Sequence, residues 1–239
     1  MRVAIVCDIH GNRTAFEAVL ADLRQTSPDR ILHGGDLVHG GSASPHIVDR
    51  VRDLGWPGVA GNTDEMLAAP ESLEQFASQS PKLAALFAAI REMAQADREA
   101  LGEARLAWLR GLPRKQVVGA MALVHASPES AWRAPETDAS DAELESVYGP
   151  LGRPVAVYGH IHHSYIREIA GMTVANTGSV SLSYDGGRRA SYLLLDDSKP
   201  SIRRVEYSLD TEIKALAISG IPHADWIARI IESGRPQMP

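Results

Sequence analysis

Side chains that can bind metal ions directly follow the first apolar run of this chain. Residues 3–7 are apolar and typical of a short buried strand, and Asp8-Ile9-His10 comes next. Positions two apart in an extended chain point to the same side, so the carboxylate of Asp8 and the imidazole of His10 can face one point. An oxygen donor and a nitrogen donor at one point suit a divalent transition metal. A pair of this kind also ends many strands by chance, so the prediction depends on whether the pattern recurs.

Four later segments repeat this pattern of an apolar run followed by a candidate ligand. Together with the first segment they supply seven candidates: Asp8, His10, Asp36, Asn62, His125, His160 and His162. Because ligands of layered α/β folds gather beyond the carboxyl ends of the strands, we expect these side chains to converge. Seven ligands are too many for one ion and suit two ions that share a carboxylate. Two metals about 3.5–4 Å apart form a clamp for phosphoryl transfer, with one ion on each side of the attacking oxygen.

The elements that would position these residues follow from the periodicity between them. Apolar residues at helical spacing predict an amphipathic helix over about residues 14–25, and Thr14 and Glu17 have capping-box spacing at its start. A further short apolar run at residues 58–62 ends in Asn62 and is expected to be a third strand. Three β-rich segments between residues 171 and 207, with no helix between them, indicate antiparallel pairing in the second half of the chain.

A helical stretch interrupts this alternation. Residues 66–112 have apolar residues at helical spacing and no evident strand, which predicts an insertion of two or three helices that serves as a lid or an interface. Its aromatic and methionine residues are expected to be packing residues. Residues 210–239 contain two further helical segments, and no linker divides the chain. Residues 1–239 are therefore predicted to form a single domain.

Charge and cysteine content disfavour several classes of protein. The 239 residues carry a formal charge of −6, which argues against broad electrostatic binding to nucleic-acid backbones. Cys7 is the only cysteine, so no internal disulfide forms, in keeping with a reducing compartment. No apolar run approaches the roughly 20 residues that span a bilayer, and no signal peptide is evident. We therefore expect a cytoplasmic protein that does not bind membranes.

The order of the motifs resembles that of the calcineurin-like metallophosphoesterase superfamily. That order is Asp-x-His, Gly-Asp, Gly-Asn-x-Asp, His and Gly-His-x-His, and it extends over roughly residues 1–207. The segments at residues 8–12, 61–64 and 176–180 resemble the small bacterial and archaeal phosphodiesterase branch of that superfamily. The resemblance implies an α/β (α+β) fold, a four-layer αββα sandwich in which two mixed β-sheets lie face to face with helices outside.

The resemblance also implies how the candidate ligands divide between two metal ions. Asp36 would bridge the two ions. Asp8, His10 and His162 would bind the first ion, and Asn62, His125 and His160 would bind the second. Asn62 and His125 would also serve catalysis, and a metal-bridging hydroxide would be the nucleophile that attacks phosphorus in line. Mixed oxygen and nitrogen ligation without thiolate admits Mn, Fe, Zn, Co or Ni, and the resemblance favours Mn²⁺.

Thr63 departs from the pattern of many superfamily members, which have a histidine there that is proposed to protonate the leaving group. Because threonine cannot supply a proton near neutral pH, we expect a preference for less basic leaving groups, as in phosphodiesters, aryl esters, cyclic nucleotides or phosphoanhydrides. His39 and His163 are nearby candidates for the missing acid, and a role as loop residues is the alternative. Asn12 and Arg13 lie beside the first motif and either contact substrate phosphate or only form the turn and helix start.

The predicted function is that of a dinuclear-metal phosphodiesterase that acts on small phosphodiesters or nucleotides. A phosphomonoesterase and a dinucleoside polyphosphate hydrolase are alternatives within the same chemistry. A protein-interaction scaffold with the same fold is the alternative from another class, although a scaffold has no need to keep seven ligands. The expected partner is a small phosphorylated substrate, and the helical insertion offers a surface for oligomer formation.

Overall fold

Nine β-strands and eight α-helices form the chain, and the computed structural model describes residues 1–239. The strands in chain order are β1 (Arg2–Val6), β2 (Arg30–His33), β3 (Lys115–Val118), β4 (Met121–Val124), β5 (Val155–Tyr158), β6 (Tyr165–Ile169), β7 (Met172–Asn176), β8 (Ala190–Asp196) and β9 (Lys199–Val205). The helices in chain order are α1 (Arg13–Thr26), α2 (Ser44–Asp53), α3 (Asn62–Ala68), α4 (Glu71–Ala77), α5 (Ala84–Arg110), α6 (Asp141–Tyr148), α7 (Leu209–Ser219) and α8 (Ala224–Ser233).

The strands form two mixed β-sheets. The first sheet has the order β2-β1-β8-β9, in which β1 and β2 are parallel and the other neighbours are antiparallel. The second sheet has the order β3-β4-β5-β7-β6, in which β4, β5 and β7 are parallel and the outer strands are antiparallel to their neighbours. The expectation of antiparallel pairing holds for β8 with β9, but it is wrong for β7 with β5, which are parallel.

Alternating side chains of β1 explain how the two sheets pack. Val3 and Ile5 pack with apolar residues of the second sheet, such as Leu123. Ala4 and Val6 point the opposite way and pack with apolar residues of α1 and α2. The far face of the second sheet packs against α6 in the same manner. The layers are therefore helices, sheet, sheet and helix, which confirms the predicted four-layer αββα sandwich.

Parallel neighbours bring four polar loops to one edge of this sandwich. Val6 at the end of β1 is level with His33 at the end of β2, and Leu123 near the end of β4 is level with Val157 near the end of β5. Backbone hydrogen bonds continue each pairing beyond the strands, since Asp8 donates to Gly35 and Gly159 donates to His125. The segments that carry the candidate ligands therefore begin side by side, at the edge where layered α/β folds place their sites.

The start of α1 differs from the predicted capping box. The helix begins at Arg13, and its N-cap is Asn12, whose side chain accepts a hydrogen bond from the backbone N–H of Ala15. Thr14 lies inside the first turn, so the predicted pairing of Thr14 with Glu17 is wrong. Asparagine at the N-cap satisfies one of the free N–H groups at the start of a helix.

Strand prediction failed where strands are short or lie at a sheet edge. Residues 58–62 form no strand, because only an isolated bridge joins His33 to Gly58, and Asn62 already belongs to α3. Strands β3 and β6 were not expected. Each is an edge strand with exposed positions and charged side chains, so neither has a continuous apolar run.

The stretch at residues 66–112 is helical, as the spacing predicted. It contains the end of α3, all of α4 and α5, and a single 3-10 turn between them. Helix α5 is interrupted at Gly102, where φ is 66°, and it packs against α2 and α3. Its role as a lid or interface stays a prediction, as does the assignment of residues 1–239 to one domain. No helix combines the length and the apolar character needed to cross a membrane.

Glu212 ties the C-terminal helices to the ligand-bearing edge. The residue lies in α7 and is fully buried. Its Oε2 accepts a hydrogen bond from the hydroxyl of Thr14 at 2.6 Å, and its Oε1 accepts one from the hydroxyl of Ser42 at 2.9 Å. Thr14 belongs to α1 and Ser42 to the loop after β2. One carboxylate therefore joins three separate parts of the chain.

Replacing Glu212 with alanine is expected to lower the free energy of unfolding by about 1–3 kcal/mol, because two partly buried hydroxyl donors lose their acceptor. Urea denaturation followed by circular dichroism measures the change. Glu206→Ala, at an exposed position just before α7, is the matched control and should stay within about 0.5 kcal/mol of the parent protein. Equal free energies for the two variants would contradict this role of Glu212.

Candidate metal centre

Five of the seven predicted ligands have a left-handed backbone conformation. Their φ angles are 58° at Asp8, 48° at His10, 51° at Asp36, 67° at His160 and 57° at His162. Such angles are uncommon for residues other than glycine, cost about 1–3 kcal/mol each, and cluster at functional sites. The loops after β1, β2 and β5 therefore hold these side chains where local backbone preference would not place them.

Four of the predicted ligands form one compact group. The ligand atoms of Asp8, His10, Asp36 and His162 all lie within 4.8 Å of one another, and all four residues are buried. Nε2 of His10 lies 3.2 Å from Nε2 of His162 and 3.6 Å from Oδ2 of Asp36. Nε2 of His162 lies 3.9 Å from Oδ1 of Asp8. Two nitrogen donors and two carboxylates in this arrangement can hold a divalent cation.

The remaining predicted ligands meet on the other side of Asp36. Oδ1 of Asn62 lies 3.0 Å from Nε2 of His125 and 2.9 Å from Nδ1 of His160. Nε2 of His125 lies 3.4 Å from Oδ1 of Asp36. One oxygen of Asp36 therefore faces His10 and the other faces His125. All seven predicted ligands converge, with the Asp36 carboxylate between the two groups.

Backbone carbonyl groups fix which ring nitrogen of three histidines carries the proton. Nδ1 of His10 lies 2.9 Å from the carbonyl oxygen of His39. Nδ1 of His125 lies 2.9 Å from the carbonyl oxygen of Gly34, and Nδ1 of His162 lies 2.5 Å from that of Leu182. A carbonyl oxygen only accepts hydrogen bonds, so each Nδ1 must donate and each Nε2 is left with a lone pair. This arrangement is the one that commonly orients metal-bound histidines.

The resulting donor set fits a cation. The Nε2 lone pairs of His10 and His162 face each other across 3.2 Å, beside two carboxylates and with no proton between them. Burial lowers the pKa of both imidazoles, so protonation near neutral pH does not relieve this repulsion. Burial also raises the pKa of Asp8, and the charge of Asp36 raises it further. Positive charge from a metal ion offsets both effects.

Asp64 supports the loop that carries Asp36. Its carboxylate is fully buried and accepts hydrogen bonds from the backbone N–H groups of Asp36 at 2.8 Å, Leu37 at 3.0 Å and Gly61 at 3.0 Å. Asp64 therefore joins the segment after β2 to the start of α3, which carries Asn62. This position agrees with a supporting role for Asp64 and not with that of a ligand.

A cavity of about 180 Å³ opens beside the converging side chains. It is lined by five of the seven predicted ligands, namely His10, Asp36, Asn62, His160 and His162. Asp8 and His125 do not line it and are almost fully buried. The other walls come from the loop after β2, from α5, from α8 and from residues 182–184. A phosphoryl group in this cavity would lie directly against the ligand cluster.

Thr63 and His39 also line the cavity. The Thr63 hydroxyl donates to the carbonyl oxygen of Val38 at 3.0 Å, so its proton is already engaged. Nδ1 of His39 lies 3.1 Å from Oδ2 of Asp97, and Oδ1 of Asp97 accepts a hydrogen bond from Ser44 at 2.7 Å. The other candidate acid named from the sequence, His163, does not line the cavity.

Asp97 was not singled out from the sequence. It lies in α5 and is buried although it is charged. The available signal was its place on the apolar face of the helix, because it lies three residues after Ala94 and four before Leu101. An acidic residue on a buried helical face needs a partner, and His39 and Ser44 are those partners.

Asn12 and Arg13 lie outside the cavity. Oδ1 of Asn12 accepts from the Ala15 backbone at 2.9 Å, and Nδ2 donates to the hydroxyl of Ser181 at 3.1 Å. Arg13 is exposed, and neither residue lines the cavity. Of the two roles considered for this pair, the structure shows the helix start, and contact with substrate phosphate stays a prediction.

Known proteins resemble this chain over nearly its whole length. The model of the calcineurin-like phosphoesterase superfamily domain matches residues 1–199. The uncharacterized protein MJ0912 of Methanocaldococcus jannaschii is 27% identical over 256 residues, which cover 98% of each chain. A metallophosphoesterase from Sphaerobacter thermophilus has a crystal structure with a TM-score of 0.78 and 25% identity, over 98% of this chain and 99% of that one. Hypothetical protein PH1004 from Pyrococcus horikoshii OT3 shares the fold, with a TM-score of 0.83 and 17% identity over 98% of both chains.

Gly61 gives a test of how tightly the loop around Asp36 is packed. A Cβ atom at position 61 would lie 2.0 Å from Oδ1 of Asp36 and 2.4 Å from its backbone nitrogen. We expect Gly61→Ala to lower the free energy of unfolding by about 1–3 kcal/mol, measured by urea denaturation, because Asp36 must move. Gly149→Ala is the matched control, since the nearest atom there is 3.9 Å away. Equal stability of the two variants would contradict this packing.

Proposed function

Since this chain belongs to the calcineurin-like phosphoesterase superfamily, we propose that it is a metal-dependent hydrolase of small phosphoric esters that prefers phosphodiesters. The observation that carries the proposal is the place of Asp36, whose two carboxylate oxygens face two separate groups of metal-binding side chains. A carboxylate between two such groups suits two cations that share one ligand.

The ligands divide between the proposed cations as the distances group them. Asp36 is common to both proposed sites. The first site also uses Asp8, His10 and His162, and the second also uses Asn62, His125 and His160. Divalent cations held there supply Lewis acidity towards a phosphoryl group. The nearest thiol, that of Cys7, packs between the two sheets, so the donors are oxygen and nitrogen only. Mn, Fe, Zn, Co and Ni suit such donors, and we propose Mn²⁺.

Asn62 and His125 are the residues that we propose to act on the developing charge of the phosphoryl group. Asn62 lines the cavity, and its Oδ1 lies 3.0 Å from the unprotonated Nε2 of His125, so both groups direct a lone pair towards the position proposed for the second cation. Fixed polar groups near a reacting phosphoryl group stabilise charge that develops in the transition state without having to reorganise.

The engaged hydroxyl of Thr63 supports a preference for phosphoesters whose leaving group is weakly basic. Its proton is donated to Val38, so the side chain offers no acid to a departing alkoxide. Leaving groups that depart as stable anions need no such acid, whereas alkyl alcohols do. Aryl esters and activated diesters are therefore the proposed substrates, ahead of simple alkyl phosphomonoesters.

A protein-interaction scaffold is the alternative from another class. The seven converging donors support the enzyme, because a scaffold gains nothing from burying lone pairs and carboxylates together. A small phosphorylated substrate stays the proposed partner, and the cavity of about 180 Å³ is in keeping with one. The cytoplasmic location, the absence of nucleic-acid and membrane binding, and an oligomer formed through the helical insertion stay predictions.

Asp36→Asn tests the shared carboxylate. We expect the metal content of the purified protein, measured by inductively coupled plasma mass spectrometry, to fall from two equivalents to one or fewer. Turnover of bis(4-nitrophenyl) phosphate with Mn²⁺ should fall more than about a hundredfold, since even residues that only support metal ligands contribute about 10–100-fold. Asp138→Asn, which removes the same charge from an exposed loop, is the control. A parent protein with neither metal nor turnover would favour the scaffold.

The engaged hydroxyl of Thr63 predicts an order of substrates. With Mn²⁺ present, kcat/KM should be higher for bis(4-nitrophenyl) phosphate than for ethyl phosphate. Thr63→His should raise kcat/KM for the alkyl ester by about tenfold or more, since a positioned acid contributes about 10²–10⁴-fold, and should change the aryl diester less. Faster turnover of ethyl phosphate than of the diester by the parent protein would overturn the proposed preference.

A further inference from the structure

The cavity beside the ligand cluster has two unlike sides. Five predicted metal ligands form one part of the lining, and most of the remainder consists of apolar side chains from three parts of the chain, together with His39, Thr63 and Tyr184. These apolar residues, which we call the apolar wall, are Ile90 and Met93 of α5, Leu182, and Trp226, Ile227 and Ile230 of α8. A phosphoryl group bound at the ligands would therefore place its organic substituent next to this wall.

The apolar wall is a packed surface of fixed shape. Met93, Ile227 and Ile230 are each only 2% exposed and belong to one buried cluster that joins α5 with α8. The indole of Trp226 is anchored, since its Nε1 donates to the backbone carbonyl of Gln237 at 2.8 Å. Side chains that are already held in place lose little conformational freedom when a ligand binds, so they favour a complementary apolar group.

No lysine or arginine lines this cavity. The hydroxyl of Thr63 and Nδ1 of His39 are engaged with Val38 and Asp97, and Tyr184 adds only a neutral hydroxyl to the lining. A carboxylate or a further phosphate on the substrate would lose its hydration without gaining the salt bridge that a lysine or arginine would supply. This composition disfavours polyphosphate chains and favours a single phosphoryl centre.

We propose that the apolar wall selects phosphoesters whose second substituent is an uncharged aryl or alkyl group large enough to contact the wall. The inference rests on the proposed function, because it assigns the substrate class of the same site. Specificity then comes from α5 and α8, whereas the chemistry comes from the loops after the strands. Apolar pockets of this kind discriminate about 10–200-fold for each methylene that they accommodate or miss.

Two diesters with the same leaving group test the selection. 4-Nitrophenyl phenyl phosphate and 4-nitrophenyl methyl phosphate both release 4-nitrophenolate. A ratio of their kcat/KM values that exceeds the ratio of their rates of alkaline hydrolysis therefore measures how strongly the protein prefers one retained substituent over the other. We expect the phenyl diester to be preferred at least about tenfold. Isothermal titration calorimetry with phosphonates gives a readout besides turnover. Phenylphosphonate should bind the Mn²⁺-loaded protein at least about tenfold more tightly than methylphosphonate or 4-carboxyphenylphosphonate.

Substitutions at Ile90 assign the preference to the wall. Ile90 is only partly buried, so it tolerates change better than its neighbours do. Ile90→Asn should reduce the phenyl-to-methyl ratio threefold or more, whereas Ile90→Leu should keep it. Ile90→Lys should reverse the order of phenylphosphonate and 4-carboxyphenylphosphonate, because it adds a partner for the carboxylate. Ile218→Asn, at a position 87% exposed on α7, is the surface control and should leave both ratios unchanged.

Failure of this inference differs from failure of the proposed function. Equal kcat/KM for the phenyl and methyl diesters, or equal binding of the three phosphonates, would overturn the inference while Asp36-dependent turnover continued. Ratios that do not change in Ile90→Asn and Ile90→Lys would also overturn it, provided urea denaturation shows that both variants are folded. Absence of metal-dependent turnover on either diester would instead overturn the proposed function.

Discussion

The structure depends on one constraint: imidazole lone pairs and carboxylates are held close together with no proton between them. Nε2 of His10 and of His162 face each other at 3.2 Å, and Asp36 lies between this pair and His125. Such a cluster is unfavourable by itself, so the surrounding fold must supply the free energy that keeps it together. Two parallel strand pairs, three backbone carbonyl groups and the buried carboxylate of Asp64 do so. The layered sandwich is thus the frame that holds an arrangement no isolated loop would adopt.

The candidate ligands could be predicted because each follows a short apolar run, whereas the four layers were predicted from the resemblance to a known family. Short apolar runs that precede Asp8, Asp36 or His125 mark strands whose carboxyl ends meet. Backbone angles were not predictable in this way, because the positive φ of Asp8 or His160 results from the tertiary arrangement and contradicts the residue's own preference. Asn62 shows the same limit, since an expected strand end is in fact the first residue of a helix.

Side chains that serve the site from a distance were harder to find. Asp97 is about sixty positions from His39 in the chain, and only the folded insertion brings the two together. The apolar wall is hidden for a similar reason, because Ile90 and Ile230 look like ordinary core residues until α5 and α8 are packed beside the cavity. Helical periodicity identifies a buried face, but it does not tell whether that face meets a core or a ligand.

Left-handed backbone at five clustered ligands has a consequence for the life of the protein in a cell. Strained backbone around mutually repelling groups stores free energy, and a cation that binds only the closed form would add RT ln(1 + [L]/Kd) to the stability. A chain that lacked its ions would spend more time open and accessible to proteases. With divalent cations bound as proposed, the abundance of this protein would follow their supply, without any dedicated sensor.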